Sequence, residues 1–212
     1  MRSNIIKFFS RRRNWTLPYV LFLAVFVVMP LVLIMVYAFQ AKDGGLSLEN
    51  FERFINQPEA ANTFIYSIGI ALITTIICIV LGYPAAYILS RMKLSTARVV
   101  VMLFILPMWI NVLVRTLATV ALFDFLTLPL GEGALIFGMV YNFLPFMVYP
   151  IYNVLQKMDH SLIEAAEDLG ATPRQVFTRV VFPLSMPGIV SGVMMVFMPT
   201  ISTFAISELL TM

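Results

Sequence analysis

Charge is scarce in this chain. Asp, Glu, Lys and Arg together make up 12% of its 212 residues, about half the share found in an ordinary soluble domain. A chain so poor in charge cannot dress the surface of a water-soluble globule, and none of its polar segments is long enough to bury a core of its own. Cysteine occurs once, at Cys78, which excludes an intrachain disulfide and a thiolate metal cluster. Histidine also occurs once, as His160 beside Asp159 in a polar loop, with no second His or Cys nearby to make a metal site. Equally missing are a G-x-x-x-x-G-K-[ST] phosphate loop, an H-E-x-x-H helix and a G-x-S-x-G elbow, so nucleotide hydrolysis, zinc peptidase and serine hydrolase chemistry have no carrier here. The chain reads as no enzyme and no nucleic-acid binder.

What is present is apolar length. Hydrophobic residues make up 60% of the sequence, and they gather in five runs that meet the requirement of about 20 residues for a spanning helix. These run from Leu17 to Phe39, Asn62 to Leu89, Val99 to Leu122, Ala134 to Leu155 and Leu184 to Ile206. Each must be helical in lipid, because only a helix satisfies its backbone polar groups within one segment. The first run is too long for a signal-peptide core and reads as a retained anchor. Prolines at 30, 84, 107, 145, 150 and 199 fall inside the runs; a bundle tolerates them as kinks.

Orientation follows from Lys and Arg. Arg2, Lys7, Arg11, Arg12 and Arg13 precede the first span, and Arg91, Lys93 and Arg98 separate the second from the third. Both regions are expected in the cytoplasm, with the acidic loop containing Asp43, Glu49, Glu52 and Glu59 outside. Alternation then puts residues 156–183 in the cytoplasm. The basic N-terminus also suits an amphipathic lipid-binding segment with Ile5, Ile6, Phe8 and Phe9 on its apolar side.

The segment 156–183 is a charged interruption between spans. Asp159 or Ser161 is placed to cap a short helix from about Leu162 to Leu169, and Gly170 stands where a left-handed stop is needed. Thr172 with Pro173 opens a second helix, and Pro183 marks the return to the last span. Ala165 and Ala166 leave a shallow surface, with Glu164, Glu167 and Asp168 around it. Small residues permit close approach by a partner, and carboxylates attract its Arg or Lys.

The spacing is Glu164-Ala165-Ala166, three residues, Gly170, nine residues, then Val180-Val181-Phe182-Pro183. It resembles the EAA loop of ABC-importer membrane subunits, with Val180 and Phe182 in place of the usual Ile and Leu. "LGYPAAYILSR", "LPMWINVLVRT" and "LPFMVYPIYNVLQKMDHSLIEAAEDLGA" resemble the first permease subunit of spermidine/putrescine importers, and nearly the whole chain follows that family. Its relatives also import iron, sulfate or molybdate.

That resemblance implies an all-α integral membrane protein of the type I ABC importer kind, a single permease domain over residues 1–212 containing the cytoplasmic EAA coupling loop. It implies a bacterial cytoplasmic-membrane location, a second permease subunit, two copies of a cytoplasmic ATPase subunit and an extracytoplasmic binding protein. ATP and Mg would be used by the ATPase, with no cofactor on this chain. Glu164, Ala165, Ala166, Asp168, Gly170 and Pro183 would form the coupling site. The family has six spans; the five here, ending at Met212, imply truncation at the C-terminus, and the segment between Arg115 and Gly138 is shorter than its family counterpart.

Candidates for a substrate path are the ionisable residues in or near spans, Arg115, Asp124 and Glu208. Asp124 and Glu208 offer carboxylates to a polycation, and Trp109, Tyr141 and Phe204 add cation–π faces worth about 0.5 to 2 kcal/mol each. Both carboxylates also suit a position in the outer interface facing water. Arg115 either pairs with one of them or snorkels to headgroups. Asn111 and Asn142 suit interhelical hydrogen bonds or substrate contact. Acidic path residues favour a cation; an iron, sulfate or molybdate permease is the alternative, as is a membrane scaffold that recruits an ATPase without transporting.

Overall fold

A computed structural model describes residues 16–40, 45, 47–56 and 58–203. All the regular structure in that part is helical. It falls into two compact units, 1–64 and 65–212.

In the first unit, α1 runs through Leu17–Leu23, Ala24–Val28 and Met29–Phe39, the middle piece being a wide π turn. The amide of Met29 reaches back five residues to the Ala24 carbonyl, one residue before Pro30, which has no amide to offer. From Pro18 to Phe39 none of the side chains of α1 is buried and nearly all are exposed, the pattern of a helix solvated by lipid. A short helix, α2 (Glu49–Asn56), follows. Asn50 fastens it to the end of α1, where carbonyls run out of intrahelical amides: its Nδ2 donates to the carbonyls of Tyr37, Ala38 and Gln40 at 3.1, 3.3 and 3.1 Å. Phe51 packs on Phe39 with ring centroids 5.3 Å apart.

The second unit holds the bundle. Helix α3 (Pro58–Arg91) enters it and carries Pro84 inside. Then come α4 (Leu94–Ile105), a 3-10 turn (Leu106–Trp109), α5 (Val112–Phe125), α6 (Glu132–Gln156), α7 (Ser161–Asp168), α8 (Pro173–Val176) and α9 (Phe182–Ser202). The centre is α6, whose Leu135, Met139, Met147, Val148 and Ile151 are at most 2% exposed. Helix α9 lies close against it because Gly188 and Gly192 present no side chain to α6. A Cβ on Gly188 would stand 3.0 Å from the Ile151 Cα and 3.0 Å from the Pro150 carbonyl oxygen. Threonine hydroxyls in the bundle bond to carbonyls one turn back: Thr75 to Ala71 at 2.7 Å, Thr119 to Arg115 at 2.9 Å and Thr200 to Val196 at 2.6 Å.

Four helices among the described residues are long and apolar enough to cross a membrane, and a fifth span is completed only by a bent pair. The third expected span, Val99 to Leu122, is that pair. It breaks at Ile110 and Asn111, where Leu94–Trp109 and Val112–Phe125 meet at 96°. Pro107 starts the turn, Ile110 is extended, and the Asn111 side chain caps α5 by accepting from the Leu113 amide at 2.8 Å. The last span also departs from expectation. Pro183 does not begin it; the chain is helical from Pro173 to Ser202, through a second π turn at Phe177–Val181. There the Phe182 amide reaches the Phe177 carbonyl. This opened turn makes room for Pro183, whose ring would clash with the carbonyl four residues back in a regular helix.

Candidate functional site: a polar turn at one end of the bundle and a buried cation within it

Two of the three segments expected in the cytoplasm come together at one end of the second unit. Tyr87, Ser90 and Arg91 at the end of α3 line a small cleft with Leu155 in the last turn of α6, Met158 just beyond it, His160 and Ile163 around α7, and Val181. At the other end Tyr66, early in α3, donates to Glu132 at the start of α6 over 3.5 Å. Helices α3 and α6 therefore run in the same direction, as an alternating topology requires of the second and fourth spans.

The turn itself is built by local chemistry. Asp159 Oδ1 accepts from the Ser161 amide at 3.0 Å, closing the first turn of α7. This amide, with smaller contributions from the Ser161 hydroxyl and His160, holds the Asp159 carboxyl below its ordinary range. Two residues past the end of α7 stands Gly170, at φ +81°, a left-handed conformation that only glycine enters without strain. Thr172 and Gln175 then form a reciprocal capping box: the Gln175 amide donates to Thr172 Oγ1 at 3.4 Å and the Thr172 amide to Gln175 Oε1 at 2.8 Å. Pro173 takes the first helical position, where its missing amide costs nothing.

On α7 only Ile163 is buried. Glu164, Ala165, Glu167, Asp168 and Gly170 are exposed, while Ala166 is half-buried and packs against the core. The two alanines therefore divide, one facing outward and the other anchoring the helix. Leu169 is 89% exposed at the lip of an open cleft of about 400 Å³, lined by Ala166, Gly170, Ala171, Gln175, Val176, Arg179 and Val180. Pro183 is exposed but lies ten residues into the continuous last helix, Pro173–Ser202. Behind the turn stands an aromatic group. Phe177 meets Tyr83 and Tyr87 edge-on at 5.9 and 5.5 Å, and Tyr83 shares a 3.0 Å hydrogen bond with buried Ser185. Sequence reasoning missed this group; its signal was Tyr83 and Tyr87 at a one-turn spacing beside Pro84.

The substrate-path candidates are dispersed. Trp109 is 85% exposed in the turn before the break, Tyr141 is exposed on α6, and Asp124 is exposed one residue before the end of α5. Phe204 and Glu208 lie outside the described residues. Asn111 is a helix cap, and its interhelical role is not what the geometry gives. Asn142, fully buried, donates from Nδ2 to the Gly138 carbonyl of its own helix at 2.8 Å. Arg115 does not pair with Asp124; its Nη1 donates to the Asn142 backbone carbonyl at 3.4 Å. Arg115 Nε and Asn142 Oδ1 are buried without partners. No cluster of three or more His, Cys, Asp or Glu side chains suited to a metal occurs among the described residues.

A bundle of several apolar helices, one of them broken, with a capped polar turn between its last two spans, defines an all-helical multi-pass membrane protein of the transporter kind. Residues 78–212 match the family described as binding-protein-dependent transport system inner membrane component, and the chain belongs to that family. It is similar to the spermidine/putrescine transport system permease protein PotB of Escherichia coli strain K12, 35% identical over 211 residues, spanning 89% of this chain and 76% of the relative. The protein of the same description from Haemophilus influenzae is 34% identical over 87% of this chain and 72% of its own length. A PotB homolog from Mycoplasma genitalium is 28% identical over 94% of this chain and 75% of its own length.

Proposed function

We propose that this chain is the permease subunit of an ATP-driven importer that passes spermidine or putrescine across the bacterial cytoplasmic membrane. The observation that carries the reading is the α7–Gly170–Thr172 turn, capped at both of its helices at one end of the bundle, with Glu164, Ala165, Glu167 and Asp168 exposed. The printed function of the relatives supports the choice of cargo. Residues 156–183 act as a coupling loop of one permease domain with its N-terminus in the cytoplasm. Glu164, Ala165, Ala166, Asp168 and Gly170 seat in a separate ATPase subunit, one of two; Pro183 sets the joint to the last span. ATP and Mg are used by that ATPase, and this chain hydrolyses nothing. A second permease and an extracytoplasmic binding protein complete the assembly.

Transport follows from two states. ATP binding favours one arrangement of the ATPase pair, and the turn passes that preference to helices already interrupted at Ile110–Asn111 and at residues 177–181. The path runs near the break, with Trp109 and Tyr141 offering aromatic faces to ammonium groups and Asp124 and Glu208 offering carboxylates.

The test is ATP-dependent uptake of labelled spermidine, putrescine, iron and sulfate into vesicles carrying this chain with the products of its neighbouring genes. Polyamine uptake that Glu164→Ala abolishes, with membrane insertion unchanged, is the expected result. Uptake of iron or sulfate instead would discard the cargo and keep the coupling. Membrane recruitment of the ATPase without uptake of any solute would replace the transporter by a scaffold.

A further inference from the structure

Most of the buried polar side chains of the second unit stand at one height. On α6 that height is marked by Asn142, which is fully buried. It lies ten residues past Glu132, about 15 Å along the helix at 1.5 Å per residue, near the middle of a hydrocarbon layer of about 30 Å. Arg115 of α5, at 7% exposure the one charged group buried among the described side chains, reaches the Asn142 carbonyl. On α3, Tyr66 meets Glu132 and Gly82 abuts Val148. Buried Thr74 is eight residues from each of them, so its height on α6 is that of Val140, within a turn of Asn142. On α9, Gly188 faces Ile151 and Gly192 faces Met147; the same spacing carried onward puts buried Thr200 level with Met139.

The same layer holds three of the four buried side-chain atoms that have no hydrogen-bond partner among the described residues: Thr74 Oγ1, Arg115 Nε and Asn142 Oδ1. Their chemistry is complementary. Arg115 Nε can only donate, Asn142 Oδ1 can only accept, and the Thr74 hydroxyl does either. The first two are kept from turning to each other, since the Asn142 amide is tied to the Gly138 carbonyl at 2.8 Å and the guanidinium to the Asn142 backbone. An inorganic anion would suit Arg115 but would face the Asn142 carbonyl oxygen, and a polyamine is of like charge to Arg115.

We propose that this layer is the binding site of an internal water, held by Arg115, Asn142 and Thr74. The water accepts from Arg115 Nε and donates to Asn142 Oδ1 and Thr74 Oγ1, three hydrogen bonds, the usual number for a buried water. It solvates a guanidinium at a depth where an unsolvated charge is costly. It also cross-ties α3, α5 and α6 at a level where the other hydroxyls bond back into their own helices, Thr116 to Val112 at 2.9 Å and Thr200 to Val196 at 2.6 Å. The site is independent of the permease reading above.

The experiment is pulsed X-ray radiolysis of the full chain in lipid nanodiscs, with side-chain oxidation read by mass spectrometry. The pulse makes hydroxyl radicals from water where the water stands, so a buried side chain is oxidised quickly only beside a bound water. Met139 and Met147 supply the comparison: both are on α6, at 2% and 0% exposure. Met139 is one turn from Asn142 on the same face, whereas Met147 lies at the close contact with Gly192. Met139 should be oxidised several-fold faster than Met147. Replacing donor and acceptor together, Arg115→Leu with Asn142→Leu, should bring Met139 down to the rate of Met147, and Thr74→Val, which keeps the side-chain shape, should lower it partway. Equally slow oxidation of the two methionines would overturn the proposal in favour of a dry layer. Equally fast oxidation would overturn it in favour of a bundle open to bulk water, as would an unchanged Met139 rate in the folded double variant. The comparison within the unaltered chain decides even where a variant does not fold.

Discussion

Gly188→Ala should destabilise the bundle, although the same change at Gly69 should stabilise it. Both glycines lie inside long helices, where replacement by alanine gains about 0.5 to 1 kcal/mol from backbone entropy. At Gly69 nothing stands within 4 Å of the added Cβ, so the gain is kept. At Gly188 the Cβ meets Ile151 Cα and the Pro150 carbonyl oxygen, each at 3.0 Å, and the Val154 side chain at 3.1 Å. The first two are backbone and cannot swing aside; α9 must move off α6 by a few tenths of an ångström, along a contact whose residues are the most enclosed in the unit. Overpacking of this kind costs about 1 to 3 kcal/mol, so the net expectation is a loss of about 1 kcal/mol, within a range of about 0 to 2.5 kcal/mol. Reversible unfolding of the purified chain in mixed micelles, followed by circular dichroism, measures both variants on one scale. If Gly188→Ala gained stability in step with Gly69→Ala, the close approach of α6 and α9 would be wrong.

Two further outcomes concern the polar turn. Gly170→Val should cost about 1 kcal/mol or more, because a β-branched residue is strained at φ +81°, whereas Gly170→Asn should be milder; limited proteolysis within residues 156–183 reports the difference. The Asp159 carboxyl is held below its ordinary value, chiefly by the Ser161 amide. Its support for the first turn of α7 is therefore complete above the unfolded-state value and disappears as pH falls through the lower folded one. Slow exchange of the Ser161 amide should persist at neutral pH and be lost only in that acid range, while Asp159→Asn should remove the pH dependence.

The apolar runs made the spans legible, since composition alone forces helices in lipid, and the starts of α3 and α6 fell within a few residues of expectation. The turn was legible in more detail. Gly170, Thr172 and Pro173 each have one conformational preference, and all three agree with the structure. The break at Ile110–Asn111 was not, because the run from Val99 to Leu122 keeps its apolar character through Asn111, Arg115 and two threonines, and Pro107 looks like any tolerated kink. Only Asn111, read as an interhelical donor, marked it, and a helix cap and an interhelical bond call for the same residue type. Pro183 misled for the opposite reason: a proline after a polar segment signals a helix start, unless a widened turn upstream removes the clash. The site candidates divide along the same line. The proposed coupling residues from Glu164 to Gly170 are local in sequence and stand together, while the path candidates depend on how distant segments meet.

The two π turns have a further consequence. Each ends two residues before a proline, at Val28 before Pro30 and at Val181 before Pro183. Relative to an unbroken helix, such a turn holds one surplus residue, and at 3.6 residues per turn that residue swings everything on its far side by about 100°. The compass bearing of Glu164 and Ala165 around the axis of α9 is therefore set at Phe177–Val181, well away from α7 itself. A one-residue deletion there would shorten the chain hardly at all and would turn the outward face of the loop toward a different neighbour.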